Sequence, residues 1–273
     1  MPDRDLERIL APNPGPMTLA GTNTYLVGRE PTIVIDPGPA DEGHIEAVRA
    51  AAEERGGIGA VLVTHSHEDH IGGVELLGIE PARPGDGEVV GGLTTLATPG
   101  HTEDHLCFTM PADEATPGRA SRADRVAKSG EAEEAAPSVE TGAEEAALIM
   151  FCGDLILGEG STIVPPADQG GSLAEYMASL DRVSKLDLDR LYPGHGPVIT
   201  DPAAKIAEYS EHREARERRL LAALERGERS RMALLKQVWD DVPAELLPAA
   251  AYAMQAHLEK LAAEGRLPED LSD

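Results

Sequence analysis

The densest chemical signal in the chain is the run Thr64-His65-Ser66-His67-Glu68-Asp69-His70-Ile71-Gly72-Gly73, directly after the apolar segment Val61 to Val63. His65 and His67 share a face only in extended backbone, and Asp69 and His70 then fall in the turn leading away. Four metal-capable groups therefore converge at one strand end. Imidazole nitrogen and carboxylate oxygen without thiolate suit Zn²⁺ or a similar divalent ion, with positions left open for water. The whole chain has nine histidines, and three of them stand here within six residues beside an aspartate. Core packing does not ask for such a pattern.

The elements that must position these groups alternate in kind. Strand-like segments are Thr24 to Val27, Ile33 to Ile35, Val61 to Val63, Leu93 to Thr98, Leu106 to Met110, Leu148 to Phe151 and Leu191 to Tyr192, each bounded by Gly, Pro or polar residues. Ile45, Val48 and Ala52 repeat at helical spacing before Gly56, and Ser172-Leu173-Ala174-Glu175 reads as a capping box opening a helix with Met177, Leu180 and Val183. The class is α/β. After Thr200 the strand signals stop. Three helices follow, from Pro202 to near Gly227, from an N-cap at Ser230, and from about Ala244 to Gly265, making a small helical appendage. The expected division is 1–200 for the chemistry and 201–273 for the appendage. Residues 113–147 carry nine acids and four bases and, among large aliphatics, only Val126 and Val139. That composition predicts a disordered acidic insertion at a hairpin tip, since it buries too little to offset ordering entropy.

Composition narrows the partners. The 273 residues carry 24 Lys plus Arg against 49 Asp plus Glu, a formal charge of −25. This excludes binding of polyanions through global charge. Between Lys205 and Lys236, however, nine bases face six acids, including Arg213, Arg216 and Arg219. The run reads either as a solvated helix with ion pairs such as Glu214 with Arg218, or as a basic ridge facing an anionic substrate. The two cysteines, Cys107 and Cys152, exclude a thiolate-rich metal or disulfide framework and read as buried free thiols on neighbouring strands. His44, His212 and His257 fall in helical stretches and read as surface or interhelical residues. The charged start MPDRDLERIL and the lack of a long apolar run predict a cytoplasmic chain without a membrane partner.

With these residues in view, the chain resembles the metallo-β-lactamase fold superfamily, whose signature is His-x-His-x-Asp-His at a strand end. Its other motifs follow in order: Asp36 in Ile35-Asp36-Pro37-Gly38, Thr98-Pro99-Gly100-His101-Thr102, Cys152-Gly153-Asp154, and Tyr192-Pro193-Gly194-His195-Gly196-Pro197. The resemblance implies an αββα sandwich with two divalent metal ions, zinc first, with manganese or iron as alternatives. It places one ion with His65, His67 and His101, the second with Asp69, His70 and His195, Asp154 between them and Asp36 behind the ligands. Asp69 and Asp154 would serve catalysis as well. His105 is read either as a proton donor or as a histidine packed beneath the site.

The stretch Pro12 to Val27, with Glu211-His212-Arg213 and Gln255 to Leu261, is similar to the β-lactamase-like protein 2 (LACTB2-like) endoribonuclease branch with its winged-helix-like C-terminal domain. That likeness implies cleavage of single-stranded RNA by metal-activated hydroxide. Thr22, Asn23 and Thr24 would lie near the substrate, and Arg213, Arg216 and Arg219 would contact phosphates. The alternative of a different substrate class is a hydroxyacyl-thioesterase of glyoxalase II type, acting on a small ester or thioester. A third reading is a non-enzymatic binding module with a structural metal site.

Overall fold

The computed structural model describes residues 5–112 and 147–272; the expected insertion lies almost wholly outside the described residues. Among the described residues nine strands form two sheets. The first holds β1 (Leu6–Leu10), β2 (Asn23–Val27), β3 (Thr32–Ile35) and β4 (Ile58–Leu62) in that order, antiparallel except for the parallel pair β3 with β4. The second holds β5 (Val89–Val90), β6 (Leu93–Ala97), β7 (Leu106–Pro111), β8 (Leu148–Gly153) and β9 (Leu188–Pro193), antiparallel except for β8 with β9.

Period-two alternation explains the layering. Tyr25, Val27, Ile33 and Ile35 point into the space between the sheets, where they meet Phe108, Phe151 and Tyr192. Their neighbours Leu26, Val34 and Val61 point outward onto Ile45, Val48 and Ala52 of helix α1 (Glu42–Glu53). The second sheet does the same: Cys107, Met150 and Cys152 face outward onto Tyr176, Leu180 and Val183 of a later helix (Leu173–Ser184). Both sheets are thus covered on both faces, the αββα sandwich that the motif resemblance implies. The two cysteines are free and buried, on adjacent strands.

Short helices α2 (Glu68–Ile71) and α3 (Gly73–Leu77) follow the metal-capable run. Helix α4 (Leu173–Ser184) starts at the expected cap, with the Ser172 side chain accepting from the Glu175 N–H. Helix α5 (Pro202–Glu225), about 36 Å long at 1.5 Å per residue, carries two cores: Ile206 and Tyr209 belong to the sandwich, whereas Leu220, Ala223 and Leu224 pack with helices α6 (Arg231–Val238) and α7 (Leu247–Ala263). Besides helices, the described part of this last unit has one strand-like feature, a bridge between Ser230 and Ser272.

Strand β1 escapes the sequence reading because Glu7 and Arg8 interrupt its apolar pattern; charge of that kind suits an edge strand, which β1 is. His44 is a correction as well. It is not at the surface but buried on α1, bonded through Nε2 to the Thr24 hydroxyl at 2.9 Å.

Candidate metal centre

The site lies where strand ends of both sheets meet. His65 and His67 leave β4, Asp69 and His70 sit on α2, His101 follows β6, Asp154 follows β8 and His195 follows β9. The two sheets are joined at this edge by the start of β2. The Asn23 N–H donates to the Gly194 carbonyl at 2.7 Å, its side-chain Nδ2 donates to the Pro193 and Gly196 carbonyls, and the Tyr25 hydroxyl donates to Pro193. Gly194 is required by close approach: a Cβ there would come within 2.5 Å of the His70 ring and 2.6 Å of Asp154 Oδ1.

The donors converge in three overlapping groups, His65 with His67 and His101, His65 with His70 and Asp154, and Asp69 with His70 and His195, each within 4.8 Å. His65 Nε2 lies 3.0 Å from His67 Nδ1, which lies 3.2 Å from His101 Nε2. His70 Nε2 and His195 Nε2 are 3.3 Å apart. Asp154 reaches toward both sides, at 3.8 Å from His101 and 3.4 Å from His195.

The far ring nitrogens are tied down. Asp36, held at a positive φ of 52°, accepts from the Thr64 N–H and hydroxyl and pairs with His70 Nδ1 at 2.8 Å. His101 Nδ1 meets the Ile163 carbonyl at 2.8 Å, and His195 Nδ1 meets the Gly21 carbonyl at 3.2 Å. Such partners fix ring orientation and leave the other nitrogen's lone pair for an ion.

The donor set fits divalent cations. Burial holds His65 and His101 below the usual histidine range, His101 at about 4, so both present lone pairs. His195 is different: burial opposes its charge, but the Asp154 and Asp69 carboxylates outweigh this and push it up to about 10. Carboxylates that draw protons onto neighbouring imidazoles are short of positive charge. Asp154 Oδ1 is buried with no hydrogen-bond partner, a state that costs stability unless a cation or water answers it.

The other expected residues fall around this centre in different ways. His105 packs beneath it: buried, stacked on His65 with centroids 5.2 Å apart, Nδ1 on the Thr98 hydroxyl, and held neutral by burial. Thr22 donates to Asp69 Oδ2 at 3.2 Å, Asn23 clamps the His195 loop, and Thr24 holds His44. All three are buried and brace the site from behind; none lines the adjoining cavity.

That cavity, of about 460 Å³, is bordered by His67, Asp69, His101, Asp154 and His195 at one end. Opposite stand Trp239, Val242, Leu246, Ala249, Ala250 and Ala253 from the C-terminal helices. Arg213 and Arg216 line it between these ends; Arg219 does not, and pairs with Asp240 at 2.6 Å. The loop Ser161 to Ile163, which supports both His101 and Arg213, carries no metal-site signal in sequence, because two of its contacts are made through backbone carbonyls.

Two packed sheets flanked by helices, with a His/Asp cluster at their shared edge, define a class of metal-dependent hydrolase. Residues 17–80 match the metallo-β-lactamase superfamily, and residues 230–271 the β-lactamase associated winged helix domain. The chain is 34% identical to the β-lactamase-like protein 2 homolog of Drosophila melanogaster over 95% of its own length and 88% of that protein's. It is also 33% identical to an atrochrysone carboxyl ACP thioesterase of Aspergillus fumigatus, over 97% of this chain and 75% of the relative. A metallo-β-lactamase family protein from Thermus thermophilus shares the fold, with a TM-score of 0.67 at 21% identity over 96% of this chain and 94% of that one. The chain belongs to the metallo-β-lactamase superfamily. It is a hydrolase of that superfamily with a His/Asp metal-binding cluster typical of a dinuclear site. Among the described residues no helix is long and apolar enough to cross a membrane.

Proposed function

We propose that this protein is a two-metal hydrolase of an acyl ester or thioester with a sizeable apolar acyl part. The observation that carries this reading is the cavity wall: the space next to the cluster ends on an indole and aliphatic side chains of the C-terminal helices. Apolar walls hold substrate by burial, at about 25 cal/mol per Å² of apolar surface removed from water. Likeness to a protein named as an acyl-carrier thioesterase supports the same substrate class.

His65, His67 and His101 would hold one ion, and Asp69, His70 and His195 the other, with Asp154 placed to touch both. When bound, such ions supply a water made acidic near neutral pH and a Lewis acid for the acyl oxygen. The chain's own part is positional. Asp36 fixes His70, Ile163 and Gly21 carbonyls fix His101 and His195, and a substrate seated in the cavity would have its acyl carbonyl toward the side bordered by His67, Asp69, His101 and Asp154. Hydrolysis adds water across the C–S or C–O bond and releases acid and thiol or alcohol. The division into a catalytic unit over 1–200 and a helical unit over 201–273 belongs to this reading, the second unit closing the acyl end.

A second reading, single-stranded RNA, is favoured by one feature: Trp239 with the Arg216 guanidinium 5.5 Å from its ring centre, a pair able to stack a base beside a phosphate. Against it, Arg216 is already bonded to Asp241 through both terminal nitrogens, Arg219 to Asp240 and Arg218 to Glu211.

The test offers metal-loaded protein a decanoyl thioester and a labelled single-stranded RNA side by side, with Asp154→Ala as the control. Turnover of the thioester, lost in the control, is expected. Cleavage of RNA that is lost in the control, with the thioester untouched, would reverse the order of the two readings.

A further inference from the structure

Arg213 and Arg216 stand one turn apart on α5, and both are nearly buried, at 5% and 6% exposure. Their surroundings differ in charge. Arg216 forms a two-pronged pair with Asp241, at 2.7 and 2.8 Å. Arg213 forms no ion pair with any carboxylate among the described residues. Its Nη2 donates to the Ser161 hydroxyl at 3.1 Å and to the Thr162 carbonyl, its guanidinium lies over the Tyr176 ring at 5.4 Å, and its Nε has no partner. Neutral acceptors and a ring face leave the net charge in place.

A buried, unpaired guanidinium is costly, because the interior lacks the water that would otherwise solvate its charge. A chain keeps such a group where something anionic completes it. Arg213 lines the cavity between the His/Asp cluster and the apolar wall, with His212 beside it, whose Nδ1 also lacks a partner. The excess positive charge is felt locally: burial first, and then Arg213, hold His212 and His257 below the ordinary histidine range.

We propose that Arg213 binds an anionic group of the substrate, a carboxylate or a phosphate, so that the ligand of this cavity is an amphipathic anion. The apolar body lies against Trp239, Val242 and Ala249, and the anionic group meets the guanidinium from the cavity side. This rests on the reading of the cavity as the substrate's seat.

The test measures binding rather than turnover, by calorimetry on metal-loaded protein, with decanoate, decyl phosphate and 1-decanol as probes. The decyl anions should bind more tightly than decanol. Arg213→Gln should weaken at least one anion by ~10-fold or more, the scale of one charge-assisted hydrogen bond, and leave decanol unchanged. Whichever anion loses more identifies the group. Metal content of the variant should equal the parent's; a merely structural role through Thr162 and His101 would lower metal content and decanol affinity together, and would overturn the proposal. So would anions that bind the variant as tightly as the parent. If Arg213→Gln does not fold, Arg213→Lys retains the charge and should retain a preference for anions over decanol; absence of that preference in the parent overturns the proposal by itself. Ester hydrolysis failing while the Arg213 effect holds would count against the hydrolase reading only. Hydrolysis persisting without an Arg213 effect would count against this one only.

Discussion

The two ends of the cavity are built on opposite principles. At the cluster end, donors come from four separate segments following strands of both sheets, and the rings of His70, His101 and His195 are aimed by Asp36 and by the Ile163 and Gly21 carbonyls. At the other end, Val242, Leu246, Ala249 and Ala250 come from one run of sequence and from helices that pack mainly on each other. The first end is set by coordination chemistry, which tolerates few residue types; the second is set by volume and polarity, which many residue types satisfy. A superfamily that keeps the first end and varies the second holds its reaction and changes its substrate.

The sharpest way to break this contrast is at the cluster. Asp154→Ala should abolish binding of both ions and lower hydrolysis by ~10³-fold or more, the scale on which a principal electrostatic group of an active site acts. His195→Ala should lose mainly the ion shared with Asp69 and His70. Elemental analysis alongside rate measurement checks both. Equal metal content in parent and Asp154→Ala would show that the carboxylate does not serve both sides.

The contrast also explains what was legible from sequence. His65, His67, Asp69 and His70 were readable because their spacing has little other use, and His101, Asp154 and His195 because each stands in a short motif with glycine beside it. The groups that aim His101 and His195 are backbone carbonyls, which any residue supplies, so no residue type marks them. Thr22, Asn23 and Thr24 stand beside the cluster, and sequence does not tell a residue that faces substrate from one that braces the loop behind it. The basic run held both behaviours at once. Glu214 does pair with Arg218, at 3.5 Å, as a solvated helix requires, while Arg213 lies buried on the cavity wall. The partners that separate Arg213 from Arg216, Thr162 and Asp241, lie 51 and 25 residues away in the chain. Trp239 and Val242 carry no signal of their own in the sequence, because apolar cavity walls and core share a composition.

At the variable end a smaller effect is expected. Ala249 is partly exposed and borders the cavity without belonging to the helical core. Ala249→Phe should fill part of the acyl space, raising KM for a decanoyl thioester by ~10-fold, with a smaller penalty for an acetyl thioester that never reaches the wall. Thermal midpoints should stay close to the parent's. Equal penalties for long and short acyl chains would mean that the apolar wall does not contact substrate.

The smallest effect concerns the joint between the two ends, where α7 meets α5. His257 is 1% exposed, neither ring nitrogen has a partner, and its ring lies 5.9 Å from Trp239. Burial, then the positive charges of Arg213 and Lys260 with His212 and Arg216, lower it to about 3 from the ordinary 6.5. The unfolded chain therefore binds one more proton than the folded chain between these values, so His257 lowers stability as pH falls below 6.5 and has no such effect above it. The slope is at most about 1.4 kcal/mol per pH unit. Urea unfolding of the parent and of His257→Leu should give a stability difference that is constant at pH 7 to 8. Below pH 6.5 the difference should move steadily in the variant's favour for as long as both remain folded. Parallel curves from pH 8 down to 5 would show that His257 takes up its proton in the folded chain as readily as in the unfolded one, and that the contact between α7 and α5 opens to water.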